Sequence, residues 1–195
     1  MDETKSWDVL KTSQFIGHRV PKGSKILDMG AYASEILSIL YRLGHSPLVG
    51  IDLNPQIRRM PYAGFISYLL SDFMHTPFKK SSFEVITSIS TIEHGLNRTA
   101  LLSEITRLLR PGGFFVASFD YWPDKIDTTG ISLFGMEWTI FSRQEVLAFI
   151  QEAGEYGLMP CGKIDLHAQD RTIDYEGRRY TFAWMALRKE ASLRQ

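Results

Sequence analysis

SKILDMGAYAS, residues 24–34, is the stretch that decides the fold. Its apolar run ends in Asp28 and Gly30, and the amphipathic SEILSILYRL follows at once. A strand that empties into a tight turn at the mouth of a helix marks the place where open α/β sheets bind nucleotide-like ligands. About twenty residues on, LVGID closes a second apolar run on Asp52, where a carboxylate can accept both hydroxyls of a ribose. A third run, ISYLLSD, puts Asp72 at the end of the next candidate strand. Three strands that each end in an acid point to a nucleoside-shaped ligand lying across their ends.

Outward from this stretch, strand and helix patterns alternate. Strands are expected at 25–29, 47–52, 65–71, 83–90, 113–119 and 180–187, with a weaker one near 158–164. Ile36, Leu37, Ile39, Leu40 and Leu43 share one helical face, as do Leu101, Leu102, Ile105, Leu108 and Leu109. Ser142-Arg-Gln-Glu145 spells a capping box, with Gly154 as the expected stop of its helix. Pro111-Gly112-Gly113 is expected to end one helix and turn the chain into a strand. Residues 1–23 are expected to form one or two short helices anchored by Trp7, Val9, Leu10, Phe15 and Ile16. The aromatic-rich stretch 120–141 reads equally as a surface connection and as a substrate-contacting loop. Alternation of this kind predicts a mostly parallel sheet covered by helices on both faces, in one domain.

Composition narrows the partners. The 195 residues suffice for one full core, and 44% hydrophobic with 23% charged residues is the balance of an ordinary globular chain. Twenty-two basic residues offset twenty-two acidic ones, and the basic doublets 58–59, 79–80 and 178–179 are isolated, so no nucleic-acid partner is expected. Cys161 is the only cysteine, which excludes an intramolecular disulfide and fits a reducing, cytoplasmic setting. The start of the chain, MDETKSWDVLKTSQF, lacks the apolar core of a secretory signal. No apolar run approaches the roughly 20 residues of a membrane span, so no membrane partner is expected either. Asp120, Asp124 and Asp127 do not follow an oxygen-ligand loop, and no metal is expected.

Together these segments resemble the class I S-adenosylmethionine-dependent methyltransferases, in particular the small-molecule, type 11-like group. The resemblance covers about residues 24–160. KILDMGAYAS is similar to the glycine-rich first motif, LVGIDLNP to the second-strand acid motif, and LLSDF to the third-strand adenine-side motif. FEVITSISTIEH resembles the fourth strand with its trailing acid-His pair, LLRPGGFFVAS the helix–Pro-Gly-Gly–strand motif, and WTIFSRQEVLAFIQEAG the late helix. The family's fold is Rossmann-like, a three-layer α/β/α sandwich around a seven-stranded sheet whose last strand is antiparallel. Its cofactor is S-adenosylmethionine. The resemblance divides the chain into a cap segment (1–23), a cofactor-binding half (24–120) and a substrate-side half (121–195).

By the same resemblance, Asp52 accepts the ribose hydroxyls while Leu53 flanks the adenine. Asp72 accepts the adenine amino group with Phe73 packed nearby. Asp28 and Gly30 lie near the methionine end, and Ser90 presents its carbonyl to the ammonium. Where the family shows three glycines only Gly30 remains, with Tyr32 and Ser34 at the other positions. Tyr32 then points away, covers the ligand or obstructs it, and Ser34 can cap the next helix. His94 is the candidate base, since imidazole titrates near neutrality, and Asp120 is the second. The expected reaction is methyl transfer to a small or medium-sized acceptor, at oxygen, with homodimerisation left open. Two alternatives stand beside it: a degenerate binding or scaffold protein with Tyr32 plugging the site, and a nicotinamide-dependent oxidoreductase. The latter wants a pyrophosphate cradle, against which Glu35 stands in the first helical turn.

Overall fold

The first strands are apolar on both sides, as a sheet buried between two helical layers requires. The computed structural model describes residues 6–95 and 97–191, so residues 1–5 of the expected cap segment lie outside it. Helix α1 (Ser6–Arg19) leads into β1 (Ile26–Met29), α2 (Ile36–Arg42), β2 (Leu48–Asp52), a 3-10 turn (Pro55–Arg59), β3 (Ile66–Leu70) and β4 (Phe83–Ile89). Then follow α3 (Arg98–Leu108), β5 (Leu109–Tyr121), the short β6 (Ser132–Leu133) and β7 (Met136–Glu137), α4 (Arg143–Glu155), β8 (Leu158–Pro160), β9 (Ile173–Tyr175) and β10 (Arg178–Lys189). Successive residues alternate sides. Ile26, Leu48 and Val85 join Ile16 of α1 and Leu37 and Leu40 of α2 in one buried cluster. Their neighbours Leu27, Val49 and Ile86 join Leu102 and Ile105 of α3 and Phe149 of α4 in the other.

The strand order is β3-β2-β1-β4-β5-β10-β8, with β9 added on β10. Strands β1 to β5 pair in parallel, and β10 is antiparallel to both β5 and β8. The fold is therefore the expected Rossmann-like sandwich with its long last strand antiparallel, and the three-residue β9 brings the strand count to eight. Strand order reverses between β1 and β4, and in open sheets of this type the ligand crevice opens beyond the carboxyl ends at that point.

Local expectations meet particular corrections. The capping box of α4 is present, with both the Ser142 and Glu145 side chains bonded to backbone amides. The helix runs through Gly154, however, and its stop is Gly157, whose φ of 73° supplies the left-handed turn. Pro111-Gly112-Gly113 lies within β5, not before it, because α3 already ends at Leu108. Helix α1 is held by Val9 and Ile16 together with polar Asp8 and Thr12, while Trp7 and Leu10 face solvent. The Ser118 hydroxyl donates to Asp8 Oδ2 at 2.7 Å and the Trp184 indole to Thr12 Oγ1 at 2.9 Å, which fixes α1 across β5 and β10. Ser34 does not cap α2: Glu35 is the N-cap residue and no side chain bonds there.

Asp28 is the polar exception within β1. It is fully buried, with the Thr87 hydroxyl of β4 donating to Oδ1 at 2.7 Å. Burial outweighs the hydroxyls of Thr87 and Ser34 and pushes its carboxyl up to about 7. The native state thus keeps this proton between pH 3.8 and about 7, where the unfolded chain has released it. Stability must fall as pH rises through that window, by about 4 kcal/mol in all at about 1.4 kcal/mol per unit. Chemical denaturation from about pH 4 to about pH 8 is expected to show a steeper fall in the wild type than in Asp28→Asn, which keeps only the part that other raised carboxyls such as Glu93 contribute; parallel profiles would refute it.

Gly30 generates a second prediction. Its φ is 81°, and an added Cβ would lie 2.2 Å from Thr91 Oγ1, whereas one on Gly157 would meet nothing within 4 Å. Gly157→Ala should cost about 1 kcal/mol of strain, and Gly30→Ala about 2 kcal/mol or more from strain and collision together. Urea midpoints of the two variants check the order.

Candidate functional site

At the carboxyl end of β2 the Asp52 carboxylate binds two loops at once. Oδ2 accepts the Tyr32 amide at 2.9 Å and Oδ1 the Asn54 amide at 2.7 Å. The carbonyl of Ile51 accepts the amides of Gly30 and Ala31, both at 3.0 Å. Ala33 donates to Met60 Sδ and Ser34 to the carbonyl of Ala31. Every amide from Gly30 to Ser34 is therefore engaged within the protein, and none projects as a cradle for pyrophosphate. A loop so engaged offers no amide of its own to a pyrophosphate. It suits a nucleoside held by its ribose, because each carboxylate oxygen of Asp52 has a second lone pair to offer.

Asp52 stands on the wall of a cavity of about 980 Å³. Gly30, Tyr32, Leu53, Phe73 and Ser90 line the same cavity, as do His94, beyond the end of β4, and Asp120, near the end of β5. Tyr32 lines the cavity and is 41% exposed. Ala33 and Ser90 both have positive φ, 61° and 49°, conformations that non-glycine residues hold only when their surroundings impose them. At Ser90 the constraint is Ser118 of β5, whose carbonyl and hydroxyl both accept the Ser90 amide.

Two expected site residues lie off this wall. Asp28 is fully buried and off the cavity wall, because its place in β1 turns it into the helix-covered face. Asp72 is folded into a turn in which Oδ1 accepts the Met74 amide at 2.8 Å, and it does not line the cavity. The other eight, Gly30, Tyr32, Asp52, Leu53, Phe73, Ser90, His94 and Asp120, share it.

The region around His94 and Asp120 is assembled from distant segments. Glu93 and His94 do not cap α3, since Asn97 fills that position. Their backbone instead pairs with the start of the segment before α4: the Thr139 amide donates to the Glu93 carbonyl, and His94 bridges Trp138. The Trp138 indole donates to Asp120 Oδ2 at 2.7 Å. Trp138 is thus a buried support of the site, although its aromatic stretch reads equally as a pocket wall. Burial, and then the charge of Asp120, push Glu93 well above the usual carboxylate range. The same two causes push the Tyr180 phenol up.

Over this region lies the β6–β7 hairpin. Phe134 and Gly135 both adopt positive φ, 56° and 78°, as a two-residue hairpin turn requires. The Phe134 ring is 84% exposed and meets His94 edge-on, with ring centroids 5.6 Å apart. Sequence reasoning missed Asp8, Glu93, Tyr175, Tyr180 and this hairpin as parts of the wall. Only the Phe-Gly pair and the Glu-His pair carried a local signal for them.

Residues 27–117 match the family model described as "Methyltransferase domain". The chain is 28% identical over 130 residues to a sterol 24-C-methyltransferase of Pneumocystis carinii, covering 62% of this chain and 34% of that protein. It is 26% identical over 125 residues to the O-methyltransferase cnsE of Penicillium expansum, covering 54% and 45%. The chain thus spans less than half the length of these curated relatives. Among solved structures, the [4+2]-cyclase SpnF superposes with a TM-score of 0.72 at 15% identity, covering 93% of this chain and 81% of that one, which is a likeness of fold. The motifs in order, the sheet order and the methyltransferase-domain match over residues 27–117 together support a place in the class I S-adenosylmethionine-dependent methyltransferase family.

Proposed function

We propose that this protein transfers a methyl group from S-adenosylmethionine to an oxygen of a small or medium-sized acceptor. The carrying observation is that Asp52, at the end of β2, and His94, beyond β4, line one cavity of about 980 Å³. That volume lies at the upper end of the range for small-molecule sites, enough for two ligands end to end.

When bound, the cofactor supplies a methyl group already activated on a sulfonium. The protein's part is then alignment, exclusion of water and removal of the acceptor's proton. Asp52 takes the ribose hydroxyls, and its hold on the Tyr32 and Asn54 amides keeps it in place when the site is empty. Leu53 and Phe73 flank the adenine. Gly30 lets the backbone approach the methionine end, where the Ser90 carbonyl faces the ammonium. Asp28 acts from behind the wall, joining β1 to β4 through Thr87, and Tyr32 screens the mouth. His94 accepts the proton of the acceptor hydroxyl. Asp120, held by Trp138, shapes the acceptor end, and the base is assigned to His94.

In this reading residues 24–120 form the cofactor-binding half and 121–195 most of the substrate side, with α1 closing the latter. Free Cys161 supports a cytoplasmic setting. Among the described residues no helix is long and apolar enough to cross a membrane. The partner is a small molecule; the charge balance supports neither nucleic acid nor a membrane surface.

Calorimetry is expected to show micromolar binding of S-adenosylmethionine and S-adenosylhomocysteine and none of NADH. Asp52→Ala should weaken both by about tenfold or more, the worth of one hydrogen bond to a charged group. A folded protein that binds neither would overturn the reading in favour of a scaffold. In turnover assays on hydroxyl-bearing acceptors, His94→Ala should lower kcat by about a hundredfold or more with cofactor affinity retained. An unchanged kcat would remove His94 as the base.

A further inference from the structure

The acceptor end of the cavity is acidic. Asp8, Glu93, Asp120 and Asp174 all line it, and among the described lining residues there is no lysine or arginine. Asp8, Glu93 and Asp120 are only 2%, 2% and 6% exposed. Asp8 and Asp120 are engaged, by the Ser118 hydroxyl and the Trp138 indole among other contacts.

Glu93 differs. Its Oε2 is buried and makes no hydrogen bond among the described residues, and the backbone of Glu93 and Asp120 favours the charged carboxyl without offsetting burial. A buried carboxyl oxygen left without a donor costs stability, and its retention on the wall of a cavity calls for a ligand that supplies the donor. Tyr180 feels the Glu93 charge directly, and Tyr175, Phe182 and Phe134 line the same cavity. A carboxylate with aromatic faces beside it is the combination that recognises an ammonium group, whereas a phosphate or a carboxylate would be repelled.

We propose that the acceptor carries a protonated amine, seated against Glu93 and the rings of Tyr175 and Tyr180. This deepens the reading of the cavity as a methyl-transfer site and rests on it. An ammonium bound to a carboxylate keeps its proton and has no free lone pair. It is therefore the handle that orients the acceptor, and its hydroxyl is the group presented at His94. In the unliganded site a proton stands in for the cation: burial and the charge of Asp120 favour the protonated form of Glu93, and an arriving ammonium takes that proton's place.

The test uses three probes of one shape on the protein saturated with S-adenosylhomocysteine: benzylamine, benzyl alcohol and benzoate, titrated by calorimetry. Benzylamine is expected to bind about tenfold tighter than benzyl alcohol, with benzoate unbound. In Glu93→Gln, which keeps the size of the side chain, the amine should lose this advantage, and Glu93→Asp should restore part of it. Equal binding of amine and alcohol, binding of benzoate, or an amine preference that survives in Glu93→Gln each overturns the proposal. The wild-type series decides the matter even if a variant fails to fold. Should S-adenosylhomocysteine itself not bind, the cofactor reading fails; the same series on the protein alone then still tests the amine site.

Discussion

Much of the ligand end depends on where the backbone amides after β1 find their acceptors. A loop leaving a buried parallel strand carries N–H groups that must be satisfied, and with one glycine this loop has little freedom to turn them inward. Ile51 and Asp52 at the end of β2 receive three of these amides in succession. Because β2 pairs with β1 in register, from Leu48 opposite Ile26 to Ile51 opposite Met29, the acceptors arrive level with the loop that needs them. The Asp52 carboxylate is thus structural first: it fixes the loop, and its remaining lone pairs face the cavity already oriented.

The molecule separates its apolar and acidic investments. Two large apolar clusters, one on each face of the sheet, supply the burial that stabilises the fold. Against that background, four carboxyl groups are buried near the strand ends: Asp8, Asp28, Glu93 and Asp120. Asp28 joins two central strands through Thr87, and Asp8 fastens α1 through Ser118. Both are connections between elements, made with groups that a purely apolar core would not need. Asp120 accepts the Trp138 indole, and its charge raises the cost of ionising Glu93. Perturbed carboxyls of this kind concentrate where a site must meet a ligand.

Most of the sheet was legible in the sequence because β1, β2 and β4 carry their apolar residues on both faces and end at sharp chemical boundaries. The helix of residues 143–155 was equally legible, since a capping box is a local device that needs no tertiary information. The failures share one physical character. Asp8 anchors α1 where Trp7 and Leu10 were expected to, because its partner Ser118 lies 110 residues away. Glu93 carried no role of its own in the sequence, and the structure gives the cap of α3 to Asn97. Trp138 could have lined a pocket or filled a core, and only the nearness of Asp120 settled it. The cofactor end was readable because a few short motifs in order build it; the acceptor end was not, because it exists only once distant segments meet.

That division has an evolutionary consequence. In the proposed reading, the wall facing the nucleoside comes from one continuous half of the chain, between Gly30 and Thr91, whereas α1, the hairpin and the last strands supply most of the remaining wall. Replacement of the 120–141 segment or redecoration of α1 can therefore change which molecules are accepted while leaving the donor chemistry intact. A lineage can explore new acceptors here by exchanging parts that the older half of the reaction never touches.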